Sequence, residues 1–476
     1  MMKLRVLIFA IVILATGATL VSFNGCGGSS GGGGTPPPPG AIKHVVIIFQ
    51  ENRSTDNLFQ DQNLINKGAD ILQSGTDSHG TSIPLHKVSL QVDYNPDHSH
   101  DAFNSMCDFN AATGQCKMDG ADLVTVYCNP GAKDCPAPDL TFGYVDPTEV
   151  QPYFQMAEQY TFADHMFQTN QGPSFPAHQF IISGTSAPSA TSNLFASENT
   201  SQTGHPDSGC DSQPSTIVAL IDPAGNEGTN SPIYPCWDYQ TITDLLEGKG
   251  YTWRYYTPPG PSIWNGPRAI QHICGPNNPP PNGTACVGPK WQNVILNQKQ
   301  VLTDIGNNQL QNVTWVIPDG ADSDHAGTSG TTGPSWVASI VNAIGNSAYW
   351  KDTAIFITWD DWGGWYDHVP PRQVLVNCAQ WGCGYVYGFR VPLIVVSPYA
   401  KAGYISKGNH DFGSILHYIE TTFGLASLGR ADAAADDLSD CFDYNQTPIP
   451  FVSIAAPLKA QDFLNRTTPP KDPDDD

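Results

Sequence analysis

Short apolar runs rich in β-branched residues recur along the chain, and three of them end on acids. Val45 to Phe49 leads through Gln50 into Glu51-Asn52-Arg53, Val313 to Ile317 leads into Asp319, Asp322, Asp324 and His325, and Thr353 to Trp359 stops on Asp360-Asp361. Runs of this length and make-up predict buried strands. Further strands are predicted at 161–167, 251–256 and 390–397. Helices are predicted at 54–60, 241–247, 291–305, 336–344 and 412–423. Pro173 and Pro176 suit a first helical turn, so another helix is expected to start at Ser174. Strands alternating with helices predict an α/β fold, a parallel sheet with helices on both faces. Residues 61–150 and 187–235 read as loop-rich insertions, and the chain shows no internal repeat.

The C-terminal edge of such a sheet is where ligands bind. Three acidic strand ends gathered there would repel one another and call for a cation. Taken one at a time, each acid has a plainer reading: Glu51 and Arg53 as an ion-paired turn, the aspartates as turn residues or helix caps.

With 476 residues, 40% of them hydrophobic, the chain can bury a large core. Charged residues make up 14%, while glycine (45) and proline (40) are abundant, which fits ordered loops around a scaffold. A net charge of −23 argues against nucleic acid as a partner and against attraction to an anionic membrane surface.

Met1 to Arg5 is a short positive region followed by an apolar segment from Val6 to about Val21, the pattern of a secretory signal. Cys26 follows Gly25 at its end, so residues 1–26 are expected to be a signal peptide ending at a lipoprotein cysteine. The other reading is ordinary cleavage near the same point. Residues 27–40 are expected to form a Gly/Ser/Pro-rich tether, 41–466 the main folded domain, and 467–476 a disordered acidic tail. The remaining cysteines show no C-x-x-C spacing. In an exported chain they are expected to pair as neighbours (107–116, 128–135, 210–236, 274–286, 378–383), leaving Cys441 single.

A serine at a helix start facing a cation can act as a nucleophile activated by coordination, and the helix N–H groups would cradle an anion. Its plainer reading is an N-cap. His178 and His417, on predicted helices, read as buried hydrogen-bonded residues, and His79, His86 and His205 as loop residues.

The sequence VVIIFQENRSTDNLF (45–59) resembles the opening signature of the bacterial phosphoesterase family that joins phospholipase C enzymes and acid phosphatases. The resemblance continues through Asp97-His98-Ser99-His100, GPSFPAHQFIISGTS (172–186), Asp324-His325, WDDWGGWYDHVPPR (359–372), FRVPLIVVSPY (389–399) and HDFGSILHYIETTFGL (410–425). It implies an alkaline-phosphatase-like three-layer α/β/α sandwich with a mostly parallel central sheet and long loop insertions. It also implies one metal ion held by Glu51, Asn52, Asp360 and Asp361; oxygen-rich ligands with imidazole nearby suit a divalent ion, with calcium, zinc, manganese and iron all open. Ser174, where many members have threonine, would be the metal-bound nucleophile. Asp361 stands where relatives often have glutamate. His98, His272, His325 and His368 would line the phosphate pocket, one of them protonating the leaving alcohol, with Arg53 and Asp56 supporting Glu51 and Asn52. The expected substrate is a phosphate ester, phospholipid included, cleaved through a phosphoserine by an exported enzyme. That enzyme would sit in the cell envelope as a lipoprotein anchored through Cys26, or be periplasmic or secreted. The opposing class is a non-catalytic envelope protein with a structural cation site.

Overall fold

Val45 to Phe49 are completely buried because the strand that carries them has a neighbour on each side. The sheet's eight strands are β1 (His44–Gln50), β2 (Thr161–Ala163), β3 (Trp253–Thr257), β4 (Val294–Leu296), β5 (Val313–Val316), β6 (Thr353–Trp359), β7 (Leu393–Val396) and β8 (Tyr404–Ser406). Their spatial order is β4-β3-β5-β1-β6-β7-β2-β8. The computed structural model describes residues 35–468 apart from 111, 114, 202–207, 228–230, 282–284, 329 and 373–386. The predicted signal peptide with Cys26, the tether up to residue 34, His205, Cys378, Cys383 and residues 469–476 lie outside the described residues.

The main helices are α1 (Gln151–Gln159), α2 (Ser174–Ser183), α3 (Ile242–Gly248), α4 (Gln300–Gly306), α5 (Gly333–Gly345) and α6 (Phe412–Phe423). They pack as two groups, α1 and α4 on α5, and α2, α3 and α6 on one another. Alternation along β1 and β6 assigns each group a face. Phe49 meets Phe412 of α6 and His178 of α2, whereas Trp359, in register with Gln50, meets Tyr153 of α1. The result is a three-layer α/β/α arrangement around a mostly parallel sheet.

Several elements differ from the sequence expectation. β7 runs antiparallel to both β6 and β2. The predicted helix 291–305 starts instead with the edge strand β4, because Val294-Ile295-Leu296 pairs with the open side of β3. The predicted strand 161–167 breaks after Ala163, where Asp164 turns aside to accept the Asp70 N–H and the Lys407 ammonium. The insertion 61–150 is built of short ladders, among them 94–96 with 126–128, and is stapled by Cys107–Cys116 and Cys128–Cys135. It packs on Trp362 and Trp365, just beyond the end of β6. Cys210–Cys236 and Cys274–Cys286 are also bonded, and Cys441 is a buried free thiol.

Near the start of α6 a buried polar chain joins distant segments. His410 Nδ1 lies 2.8 Å from Asp436, its Nε2 lies 2.8 Å from Ser406 Oγ, and Ser406 donates to Asp440. Burial disfavours the imidazolium, but Asp436, with Asp440 and Asp411 nearby, outweighs it and holds His410 above its ordinary 6.5. A group raised on folding stabilises fully below its unfolded pKa and loses that contribution as pH rises through the folded value. His410→Gln is therefore expected to cost about 3 kcal/mol below pH 6.5 and progressively less above it, as read from denaturant midpoints across pH.

Candidate active site

β1 and β6 end level with each other. Gln50 is in register with Trp359, and the Asp360 N–H donates to the Gln50 carbonyl at 2.9 Å. Glu51 and Asp360 thus leave adjacent strands at the same height. Both are completely buried, as are Asn52, Asp361 and Ser174.

Local backbone geometry fixes what these groups present. Asn52 has a φ of 60°, which asparagine tolerates better than most residues. Its N–H and that of Asp361 both donate to Asp360 Oδ1, at 2.9 and 2.8 Å. Gly363 must be glycine: its φ is +64° and a Cβ would lie 2.3 Å from the Asn52 carbonyl oxygen. That close approach lets the Gly363 N–H reach Asp361 Oδ1 at 2.7 Å. The Ser174 hydroxyl donates to the other oxygen, Asp361 Oδ2, at 3.4 Å. Ser174 is the first residue of α2 and makes no capping bond. The Phe175 N–H is taken by Asn199 Oδ1 at 2.9 Å, so it is not offered to an anion as the sequence suggested.

His178, read from sequence as a plain buried residue, belongs to the site. One turn below Ser174 on α2, its Nε2 lies 3.4 Å from Glu51 Oε1 and 4.0 Å from Asp360 Oδ2. The Tyr255 hydroxyl donates to the Trp264 carbonyl, so it accepts from His178 Nδ1 at 3.2 Å. The ring therefore turns a lone pair on Nε2 toward the carboxylates. Burial pushes His178 down to about 4, which keeps the imidazole neutral. The i, i+4 spacing of Ser174 and His178 was the sequence signal for this placement.

Glu51, His178 and Asp360 each offer a ligand atom within 4.8 Å of the other two. Asp360 Oδ2, Asn52 Oδ1 and His178 Nε2 are buried with no hydrogen-bond donor among the described residues. The Asn52 amide is oriented by His98: Nδ2 lies 3.0 Å from His98 Nε2, while His98 Nδ1 bonds the Pro96 carbonyl at 3.1 Å. Acceptors facing one another without donors are costly unless a cation joins them. A set of carboxylate and amide oxygens with one imidazole fits a divalent ion. Burial, then the nearby Asp360, push Asp361 well above the usual carboxylate range.

The other predicted site residues separate into two sets. His325 stays with the site, its ring 5.7 Å from that of His98 and its Nδ1 on the Ala326 carbonyl at 2.6 Å. His272 does not belong, because its nitrogens contact Asp238 at 2.7 Å and Asp244 at 3.1 Å beside α3. His368 is likewise engaged elsewhere, between Asp56 at 2.6 Å and Asp70 at 3.0 Å. Asp56 also receives the Arg390 guanidinium and the Leu72 N–H and anchors that network. Arg53 reaches past Glu51 to the Asp324 and Leu90 carbonyls and lies over the Trp365 ring. The acids after β5 do not converge on the site either. Asp324 accepts from Tyr153 and Trp359, and Asp322 pairs with Arg466.

Known proteins resemble the chain over most of its length. "Non-hemolytic phospholipase C" of Pseudomonas aeruginosa is 24% identical over 464 residues, covering 86% of this chain and 58% of that protein. "Phospholipase C A" of Mycobacterium tuberculosis is 23% identical over 464 residues, covering 86% and 78%. The chain thus spans little more than half the length of the Pseudomonas relative. Among solved structures, a protein in the alkaline phosphatase superfamily from Vibrio parahaemolyticus aligns with a TM-score of 0.35 at 10% identity, covering 87% of this chain and 75% of that one. The fold class rests on the eight-stranded sheet itself. Residues 42–426 match the model of the Phosphoesterase family, and the chain belongs to that family.

Proposed function

We propose that this protein is an exported, metal-dependent phosphoesterase that cleaves phosphate esters through Ser174 and a phosphoserine, as a phospholipase C or an acid phosphatase. The observation that carries this reading is the Ser174 hydroxyl on Asp361, beside buried acceptors of Asn52, His178 and Asp360 that lack donors among the described residues. Glu51, Asn52, His178, Asp360 and Asp361 would hold one divalent ion, joined by Ser174. When bound, it would stabilise charge on the phosphoryl oxygens and favour the serine alkoxide. Asp361 Oδ2 is placed to take the Ser174 proton, and Gly363 fixes that carboxylate through its other oxygen. His98 and His325 would border the phosphoryl group, with His98 also orienting the Asn52 amide. Complete burial of Glu51, Asn52, Ser174, His178, Asp360 and Asp361 lowers the local dielectric and strengthens each of these interactions.

Four disulfides among the described residues support an oxidising destination, as the N-terminal pattern does. No described helix is long and apolar enough to cross a membrane. A lipid on Cys26 would attach the enzyme to the cell envelope. The test compares p-nitrophenyl phosphate with p-nitrophenylphosphorylcholine, with and without chelator. Turnover of at least one, abolished by chelation and restored by a divalent ion, is expected. Metal binding without turnover of either would contradict the enzyme reading and leave a structural cation site.

A further inference from the structure

Two contacts hold the segment before α2 against residues 197–199. Gly172 lies so close to Ser197 that a Cβ would fall 1.8 Å from its carbonyl oxygen, and the Phe175 N–H bonds Asn199. Ser174 on one segment and Glu198 on the other sit between these contacts. Glu198, His98, Pro173, Asn199 and Tyr127 line a cavity of about 260 Å³ at this place. Glu198 is oriented there, since its Oε1 accepts the His100 N–H at 2.8 Å. Tyr127 at the rim is 53% exposed, so the cavity opens outward beside an aromatic face.

We propose that this cavity receives the leaving alcohol of the substrate and that Glu198 is the carboxylic acid that protonates it. The inference rests on the phosphoesterase reading above. Burial pushes the Glu198 carboxyl up to about 8, with Glu227 and Asp97 adding to the rise and the His100 N–H and His98 opposing it. It therefore carries its proton at neutral pH. The nearby rings are poorer donors: His98 Nε2 already accepts from Asn52, and His178 is held neutral.

The bond changes balance. Ser174 Oγ bonds to phosphorus as its proton passes to Asp361 Oδ2, and the ester P–O bond breaks. The electron pair stays on the alcohol oxygen, which takes the Glu198 proton. Water then attacks the phosphoserine and gives a proton to the Glu198 carboxylate, while the departing Ser174 oxygen recovers its proton from Asp361. Both acids return to their starting state.

Glu198→Gln keeps an acceptor for the His100 N–H but has no acidic proton. The test pairs esters that share a phosphoryl group and differ in leaving group: p-nitrophenyl phosphate with glycerol phosphate, and p-nitrophenylphosphorylcholine with dihexanoylphosphatidylcholine. Nitrophenolate leaves without an acid and an alkoxide does not. In whichever pair the wild type turns over, Glu198→Gln is expected to lower alkyl-ester kcat/KM about 10²–10³-fold and nitrophenyl-ester kcat/KM less than about threefold, because kcat/KM reports the steps through departure of the alcohol, before Glu198 takes the proton of water. Wild-type alkyl-ester rates should fall above about pH 8, with no such limb in Glu198→Gln. Glu198→Asp, which keeps an acidic proton, should hold at least ten times the alkyl-ester rate of Glu198→Gln. Equal losses of kcat/KM on both leaving groups, or an alkyl-ester kcat/KM unchanged by Glu198→Gln, would overturn the proposal while leaving the phosphoesterase reading intact. A wild type that turns over no ester at all defeats that reading and this inference with it.

Discussion

Ser174→Ala is expected to lower phosphate-ester kcat by at least about 10³-fold while leaving the fold unchanged. Among the described residues the hydroxyl's single hydrogen bond is the 3.4 Å bond to Asp361. Its removal deletes one weak hydrogen bond, so stability should change by no more than about 1 kcal/mol. A merely structural serine would show the opposite pattern, with little loss of rate and a measurable loss of stability. Asp361 should then show an intact carboxylate environment through Gly363, which does not depend on Ser174. Steady-state kinetics and a denaturation curve on the same preparation decide between the two.

The second large effect concerns the cation. A divalent ion at one hundred times its Kd is expected to stabilise the wild type by about 2.7 kcal/mol. Asp360→Asn should bring that figure near 0.4 kcal/mol, corresponding to an affinity about 100-fold weaker. The amide can still accept the Asn52 and Asp361 N–H groups at Oδ1, so the local backbone survives the exchange. In chelator the variant should be as stable as the wild type or more so, because one buried charge has gone. Calorimetry or thermal unfolding reads this without any substrate. A wild type indifferent to every divalent ion, or an Asp360→Asn variant that responds equally, would contradict the assignment.

What could be read from sequence was the part fixed by local pattern. β1, β6 and α6 announce themselves by apolar runs and periodicity, and parallel register then brings Glu51 beside Asp360 without further information. Ser174 was legible from the prolines around it. Residues whose position depends on tertiary turns were not. Asp322 and Asp324 look like further ligands, yet the loop after β5 delivers them to Arg466, Tyr153 and Trp359. His272 and His368 share the chemistry of pocket histidines, but carboxylates distant in sequence claim them. His178 is the buried, hydrogen-bonded residue that an apolar helix suggests, but that reading does not show that its Nε2 faces Glu51 and Asp360. Its one-turn spacing from Ser174 was the better guide. Glu198 lies in an unpatterned loop and gains meaning only from the contacts that Gly172 and Asn199 make. β4 was hidden because Val-Ile-Leu suits either element until an open strand edge selects one.

The central claim is that Ser174 attacks phosphorus beside a cation held by Glu51, His178 and Asp360. Acid quenching during turnover of a ³²P-labelled ester, followed by peptide mapping, tests it most directly. Label on the peptide containing Ser174, absent from Ser174→Ala and from chelated enzyme, is the predicted result. Full turnover by Ser174→Ala, or label at another residue, would contradict it.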